Sequence, residues 1–220
     1  MPVNIPLPII YSITSGTATP QTTPDDPQFS AILRLARAAV DAEVSLFQIR
    51  EKSLQARVLF DLVARAAEIT RGTKTRLIVN DRSDIAGAAG ADGVHLTTHS
   101  LPAEVVRRMC GDEFLIGVST HSLDEARVAR DAGADFVVFG PVFETESKRA
   151  YGDPQGLDKL AEVARSLDEF PVVAIGGITL DNIDECFHAG ASGVAAIRLL
   201  SHTVQMSSIV ESIRSRFNSR

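Results

Sequence analysis

Gln48, Arg50 and Lys52 fall at alternate positions in one short stretch, Phe47-Gln48-Ile49-Arg50-Glu51-Lys52. Extended backbone turns alternate side chains to one face, so an amide and two cations are expected to converge. A guanidinium grips a phosphate as a two-pronged donor and an ammonium acts as a point charge. A diphosphate would suit such a site. In Val79-Asn80-Asp81-Arg82, Asp81 offers a carboxylate oxygen to Mg²⁺. The same residue could instead cap a helix beginning near Ser83, and in isolation its type favours the cap. Gly117-Val118-Ser119-Thr120-His121 adds a hydroxyl donor, Ser119, and a possible proton shuttle, His121. The run from Gly140 to Lys148 ends in Thr145, Ser147 and Lys148, groups suited to clasping a phosphate, with Phe143 as an apolar anchor. Gly176-Gly177 lets backbone N–H groups approach an anion closely, and Arg198, after Ala196-Ile197, adds a charge.

The elements that must carry these groups are legible as a repeat. Ala-Ala-Gly-Ala-Asp-Gly-Val-His-Leu at 88–96, Asp-Ala-Gly-Ala-Asp-Phe-Val-Val-Phe-Gly at 131–140 and His-Ala-Gly-Ala-Ser-Gly-Val-Ala-Ala-Ile at 188–197 share one pattern. Each is a helix end, a glycine where a left-handed residue is wanted, then a short apolar run. A helix feeding a buried parallel strand, three times over, means βα units. The same reading yields eight strands, near 9–13, 45–50, 76–80, 93–96, 114–118, 135–140, 172–175 and 193–197. Helices are expected between them. Residues 54–70 carry an apolar stripe, and 122–131 open with a Ser122–Glu125 capping box. Further helices are expected at 157–167, 180–189 and 204–216, with 14–27 as a long first loop. Eight βα units in 220 residues give a (β/α)₈ TIM barrel, class α/β, forming one domain over 1–220. An open doubly wound sheet would want a glycine-rich fingerprint after the first strand, and none is present. In a barrel the chemistry lies at the C-terminal ends of the strands, where these polar groups fall.

Composition narrows the partners. A net charge of −6 and a pI near 5.4 speak against a nucleic-acid surface. No apolar run is long enough to span a bilayer. Cys110 and Cys186 have neither metal spacing nor a disulfide pattern, which leads to the expectation of a reducing, cytoplasmic setting. Small phosphorylated molecules are the expected partners, and a homo-oligomer is compatible with the sequence.

Six segments carry a resemblance: Gln48-Ile49-Arg50-Glu51-Lys52, Val79-Asn80-Asp81-Arg82, Ala91-Asp92-Gly93-Val94-His95-Leu96, Gly117-Val118-Ser119-Thr120-His121-Ser122, Gly140-Pro141-Val142-Phe143 and Ala174-Ile175-Gly176-Gly177-Ile178. In order and spacing they resemble the thiamine-phosphate synthase family. The resemblance implies that a hydroxymethylpyrimidine pyrophosphate is joined to a hydroxyethylthiazole phosphate, with pyrophosphate leaving and Mg²⁺ assisting. It implies that Gln48, Arg50, Lys52, Asn80, Ser119 and Lys148 hold the pyrimidine and pyrophosphate. Asp81 is the implied metal ligand. Thr145 and Ser147 match the hydroxyl positions of the loop after the sixth strand. Gly177, Ile197 and Arg198 fall at the implied thiazole-phosphate site. Lys148, Ser119 and His121 are the candidate catalytic groups. Two departures stand out. Thr97-Thr98-His99-Ser100 replaces the family's Gly-Gln-Glu-Asp, whose Asp is a second metal ligand, and Ile197-Arg198 replaces Ile-Ser. The stretch Phe139 to Thr145 is also similar to the related thiazole tautomerases, in which His121 would fall on the acid/base position. That activity, or non-catalytic binding of a thiamine intermediate, is the alternative.

Overall fold

The computed structural model describes residues 5–145 and 153–219. Strands and helices alternate throughout: β1 Ile9–Ile13, α1 Pro27–Asp41, β2 Leu46–Ile49, α2 Ala56–Thr70, β3 Arg76–Asn80, α3 Ser83–Ala88, β4 Gly93–Leu96, α4 Ala103–Cys110, β5 Leu115–Thr120, α5 Leu123–Asp131, β6 Phe136–Phe139, α6 Gly156–Leu167, β7 Val172–Ile175, α7 Ile183–His188, β8 Gly193–Ala196 and α8 Met206–Asn218. The strands are parallel and close in sequence order, with β8 pairing back onto β1. This is the expected (β/α)₈ barrel. Among the described residues no helix is long and apolar enough to cross a membrane.

The repeat seen in the sequence has a single structural cause. Gly90, Gly133 and Gly190 all have positive φ, between 77° and 93°. Each follows a helix, and in each case two bonds close the end the same way. Gly133 N–H donates to Arg130 O and Ala134 N–H to Ala129 O; the Gly90–Ala91 and Gly190–Ala191 pairs repeat those offsets. A left-handed residue lets the last carbonyls of the helix find donors and turns the chain straight into the next strand.

Every strand is buried on both faces, which is why its sequence is an apolar run rather than an alternating one. One face packs under the helices. The other builds the barrel interior from Ile9, Tyr11, Ile13, Leu46, Ile78, Leu115, Phe136, Val138, Val173 and Ala195. Gly117 lies in this interior, and a Cβ there would fall 2.3 Å from Phe136 Cζ. Its bare backbone is what lets the Phe136 ring lie across the lumen, edge-on to Tyr11 with centroids 5.8 Å apart.

The sequence-based bounds need some adjustment. β5 runs two residues past the expected end, so Ser119 is on the strand itself. α1 starts at Pro27, whose missing N–H costs nothing in a first helical turn. The helix expected at 180–189 contracts to Ile183–His188. Asn182 is the reason: its Oδ1 accepts from Thr179 N–H and its Nδ2 donates to Gly177 O, holding the preceding residues in a turn.

Candidate active site

The polar groups gather at the C-terminal mouth of the barrel. Gln48 is buried at the end of β2, and its Nε2 reaches Asn80 Oδ1 on β3 at 3.5 Å. His95 is in register with Asn80 on one side and Gly117 on the other. Ser119 is the next residue of β5 on the same face. There His95 Nε2 and Ser119 Oγ are 2.8 Å apart. Gln48, Asn80, His95 and Ser119 therefore form a polar arc across β2 to β5, above the apolar interior.

Arg50 follows immediately after β2, and its backbone N–H donates to Thr14 Oγ1 at 2.8 Å. Its charge is felt inside the barrel. Burial first, and the Arg50 charge second, push the His95 imidazole down to about 4. His95 is therefore neutral at physiological pH. The first loop lies against the guanidinium, since a Cβ on Gly16 would come within 3.5 Å of Arg50 Nη1. Glu51 fixes that loop. Its carboxylate is buried and accepts from Gly16 N–H at 3.1 Å and from Ala18 N–H at 2.9 Å. Lys52, by contrast, is exposed in a turn. β2 ends at Ile49, so strand alternation covers Gln48 and extends to neither Arg50 nor Lys52.

Asp81 is not the cap that its type suggested in isolation. Arg82 holds the N-cap position of α3, and its side chain caps no helix N–H, donating instead to the carboxylate of Asp84 in the first turn. Asp81 itself has a φ of 65°, a left-handed conformation that Asp tolerates better than most residues. Its carboxylate is exposed at the mouth, one residue past Asn80. Ser100, at the family's second acidic position, is turned inward on its own loop, where Oγ accepts from Thr97 N–H at 2.8 Å. The described residues contain no group of three or more His, Cys, Asp or Glu able to enclose a metal ion. One carboxylate is nonetheless enough for Mg²⁺ when substrate phosphates supply the remaining oxygens. The donor set therefore fits an ion that arrives with a diphosphate.

His121 follows β5 and is engaged by α5. Its Nδ1 is 3.1 Å from Glu125 Oε2, and the same oxygen accepts from the His121 backbone N–H at 2.7 Å. Ser122 caps α5 as expected, accepting from Glu125 N–H. Thr145 is half-buried at the end of the described part of the loop after β6, while Ser147 and Lys148 lie outside the described residues. That loop crosses the Gly176-Gly177 turn. Phe143 N–H donates to Gly176 O, and a Cβ on Gly177 would fall 2.7 Å from both Glu144 O and Phe143 Cβ. The glycines thus admit the neighbouring loop. Ile197 lines the barrel interior, half-buried, and Arg198 is exposed beside it.

Sequence reasoning about the site overlooked two groups. His95 was quoted within a motif but given no role. The available signal was a lone imidazole in an otherwise apolar strand buried on both sides. Glu51 left no comparable signal, because its partners are backbone N–H groups of a loop more than thirty residues away.

Residues 21–200 match the family model described as thiamine monophosphate synthase. A thiamine-phosphate synthase of Moorella thermoacetica is 44% identical over 165 residues, covering 75% of this chain and 78% of that protein. A thiamine-phosphate synthase of Haloarcula marismortui is 35% identical over 209 residues, covering 94% and 95%. Among solved structures, the thiamine phosphate pyrophosphorylase from Pyrococcus furiosus superposes with a TM-score of 0.78 at 28% identity, covering 98% of each chain.

Proposed function

The chain belongs to the thiamine monophosphate synthase family, and from that premise we propose that it is a transferase that joins a hydroxymethylpyrimidine pyrophosphate to a hydroxyethylthiazole phosphate, giving thiamine phosphate and pyrophosphate. The observation that carries the reading is the polar arc itself. Gln48 with Asn80, and His95 with Ser119, meet at one mouth beside Arg50, on the scaffold that family membership implies.

The chemistry asks for few protein-derived electrons. The bond between the pyrimidine methylene and the pyrophosphate oxygen breaks, and the departing oxygen keeps the electron pair. The thiazole nitrogen then donates its lone pair to the methylene carbon. Catalysis of such a step rests on holding the two partners in line and on donors placed where negative charge develops. Gln48 and Asn80 are suited to orienting the pyrimidine. Arg50 and Ser119 are suited to the diphosphate oxygens, with Lys52 and Lys148 as further cations. Gly177, Ile197 and Arg198 face the thiazole phosphate in this scheme, with Thr145 and Ser147 as further hydroxyl donors. Mg²⁺, held by Asp81 together with diphosphate oxygens, would supply charge neutralisation on the leaving group. His121 has no step in this scheme.

The test is direct. Protein mixed with both substrates and Mg²⁺ is expected to form thiamine phosphate and pyrophosphate in equal amounts. Isomerisation of a thiazole carboxylate phosphate without condensation would replace this reading with the tautomerase one. Binding with neither reaction would leave a sensor.

A further inference from the structure

Arg50 stands half-buried at the mouth, and among the described residues its guanidinium has no hydrogen-bond or ion-pair partner. A carboxylate is its next neighbour in sequence, yet that carboxylate is turned elsewhere. Glu51 Oε1 accepts from Gly16 N–H and Glu51 Oε2 from Ala18 N–H. A buried charge is tolerated when its oxygens are given donors, and here the donors come from the first loop rather than from the cation alongside.

The chain leaving β1 and the chain leaving β2 are stitched together around Arg50. Thr14 N–H donates to Gln48 O at 3.0 Å, and Arg50 N–H donates back to Thr14 Oγ1 at 2.8 Å. Thr14 and Glu51 are both buried. Arg50 is thereby held at its backbone by Thr14 and backed along its side by Gly16, whose place Glu51 sets. The loop backbone lies directly against the residue: a Cβ on Gly16 would stand 3.3 Å from Arg50 O and 3.5 Å from Arg50 Nη1. A long cationic side chain that is already confined has less freedom to lose when it grips a phosphate.

We propose that Glu51, with Thr14, is a positioning residue for Arg50. It holds the Gly16 backbone as a fixed wall beside the guanidinium, and by giving its own oxygens to the loop it leaves that guanidinium to the anionic substrate. The identity of the anion rests on the synthase reading; the dependence of Arg50 on Glu51 does not.

Inorganic pyrophosphate with Mg²⁺ is the binding probe, read by calorimetry on the full chain. Glu51→Gln is expected to weaken its binding by about threefold to tenfold, the cost of ordering one long side chain. The sign alone is decisive. Removing a nearby negative charge with no loss of positioning would tighten an anion instead, and tighter or unchanged binding would overturn the proposal. In the Arg50→Ala background Glu51→Gln is expected to change binding by less than about twofold. Equal losses in both backgrounds would mean that Glu51 acts independently of Arg50, and the proposal would fail. Thr14→Val removes the acceptor of Arg50 N–H from the other side and is expected to show the same dependence on Arg50; it carries the test if Glu51→Gln does not fold. In the condensation assay Glu51→Gln is expected to raise KM for the pyrimidine pyrophosphate and leave KM for the thiazole phosphate unchanged. A rise in both would mark a general loosening and overturn the assignment. A wild-type protein that binds pyrophosphate without condensing the substrates would refute the synthase reading, and the binding comparison would still decide the role of Glu51. A wild type that binds no pyrophosphate would overturn the proposal.

Discussion

Acid should unfold this protein partly through one imidazole. In the unfolded chain His95 takes up a proton below about pH 6.5. In the barrel burial delays that to about 4, with the Arg50 charge adding to the delay. Between these values the unfolded state binds more protons than the folded state, so stability falls as pH falls. Above about 6.5 both states are neutral at this position and the contribution is fully present. The gap of two to three pH units, at about 1.4 kcal/mol each, gives about 3 kcal/mol lost on going from pH 7 to pH 4. That is a large share of the 5–15 kcal/mol that typically holds a domain together. Other carboxylates titrate over part of the same range, so the measurement must be a difference. His95→Gln keeps a buried polar group of similar reach and does not titrate. Urea unfolding of both proteins at several pH values from 7.5 to 4 gives a stability difference at each pH. The wild type is expected to lose about 3 kcal/mol relative to the variant, mostly between pH 6 and 4. A difference that stays flat over that range would mean that the imidazole is not held neutral by its surroundings.

Asp81→Asn tests the metal role without disturbing the backbone, because Asn accepts the left-handed conformation recorded at this position. Turnover is expected to fall by about a hundredfold or more, with an unchanged urea midpoint; near-normal turnover at ordinary Mg²⁺ would remove Asp81 from the site. Glu51→Gln leaves one carbonyl oxygen where two carboxylate oxygens now serve Gly16 and Ala18. A loss of about 1–3 kcal/mol of stability is expected, together with a raised KM for the pyrimidine pyrophosphate as the first loop loosens beside Arg50. Unaltered stability and KM would show that the loop is held by other contacts.

The scaffold was legible because its signals are local. A glycine two residues beyond a helix, followed by an apolar run, is a short-range instruction, and its three copies behave identically in the structure. Strand ends and the polar groups on them followed from this with errors of a residue or two. The failures came where local pattern stops governing. Alternation holds only along extended chain, so it placed Gln48 but governs neither Arg50 nor Lys52, which lie beyond the end of β2. Asp81 has the type and spacing of a cap, but its left-handed backbone takes it out of the capping position. Glu51 acts through a loop that nothing in its neighbourhood announces. His95 owes its lowered pKa to burial that only the closed barrel produces.

Arg50 links the two layers of the site, and the order of the causes acting on His95 shows how the site withstands substrate binding. A diphosphate seated against the guanidinium would offset its field, and that alone would let the imidazole pKa rise. The larger cause is burial, which a substrate bound at the mouth deepens rather than relieves. Burial therefore continues to hold the His95 imidazole below its ordinary value with the anion in place. Placing the imidazole one layer below the cation, rather than beside the phosphate, keeps burial the dominant influence on it. It also explains why a histidine can serve a strongly anionic site without becoming protonated by it.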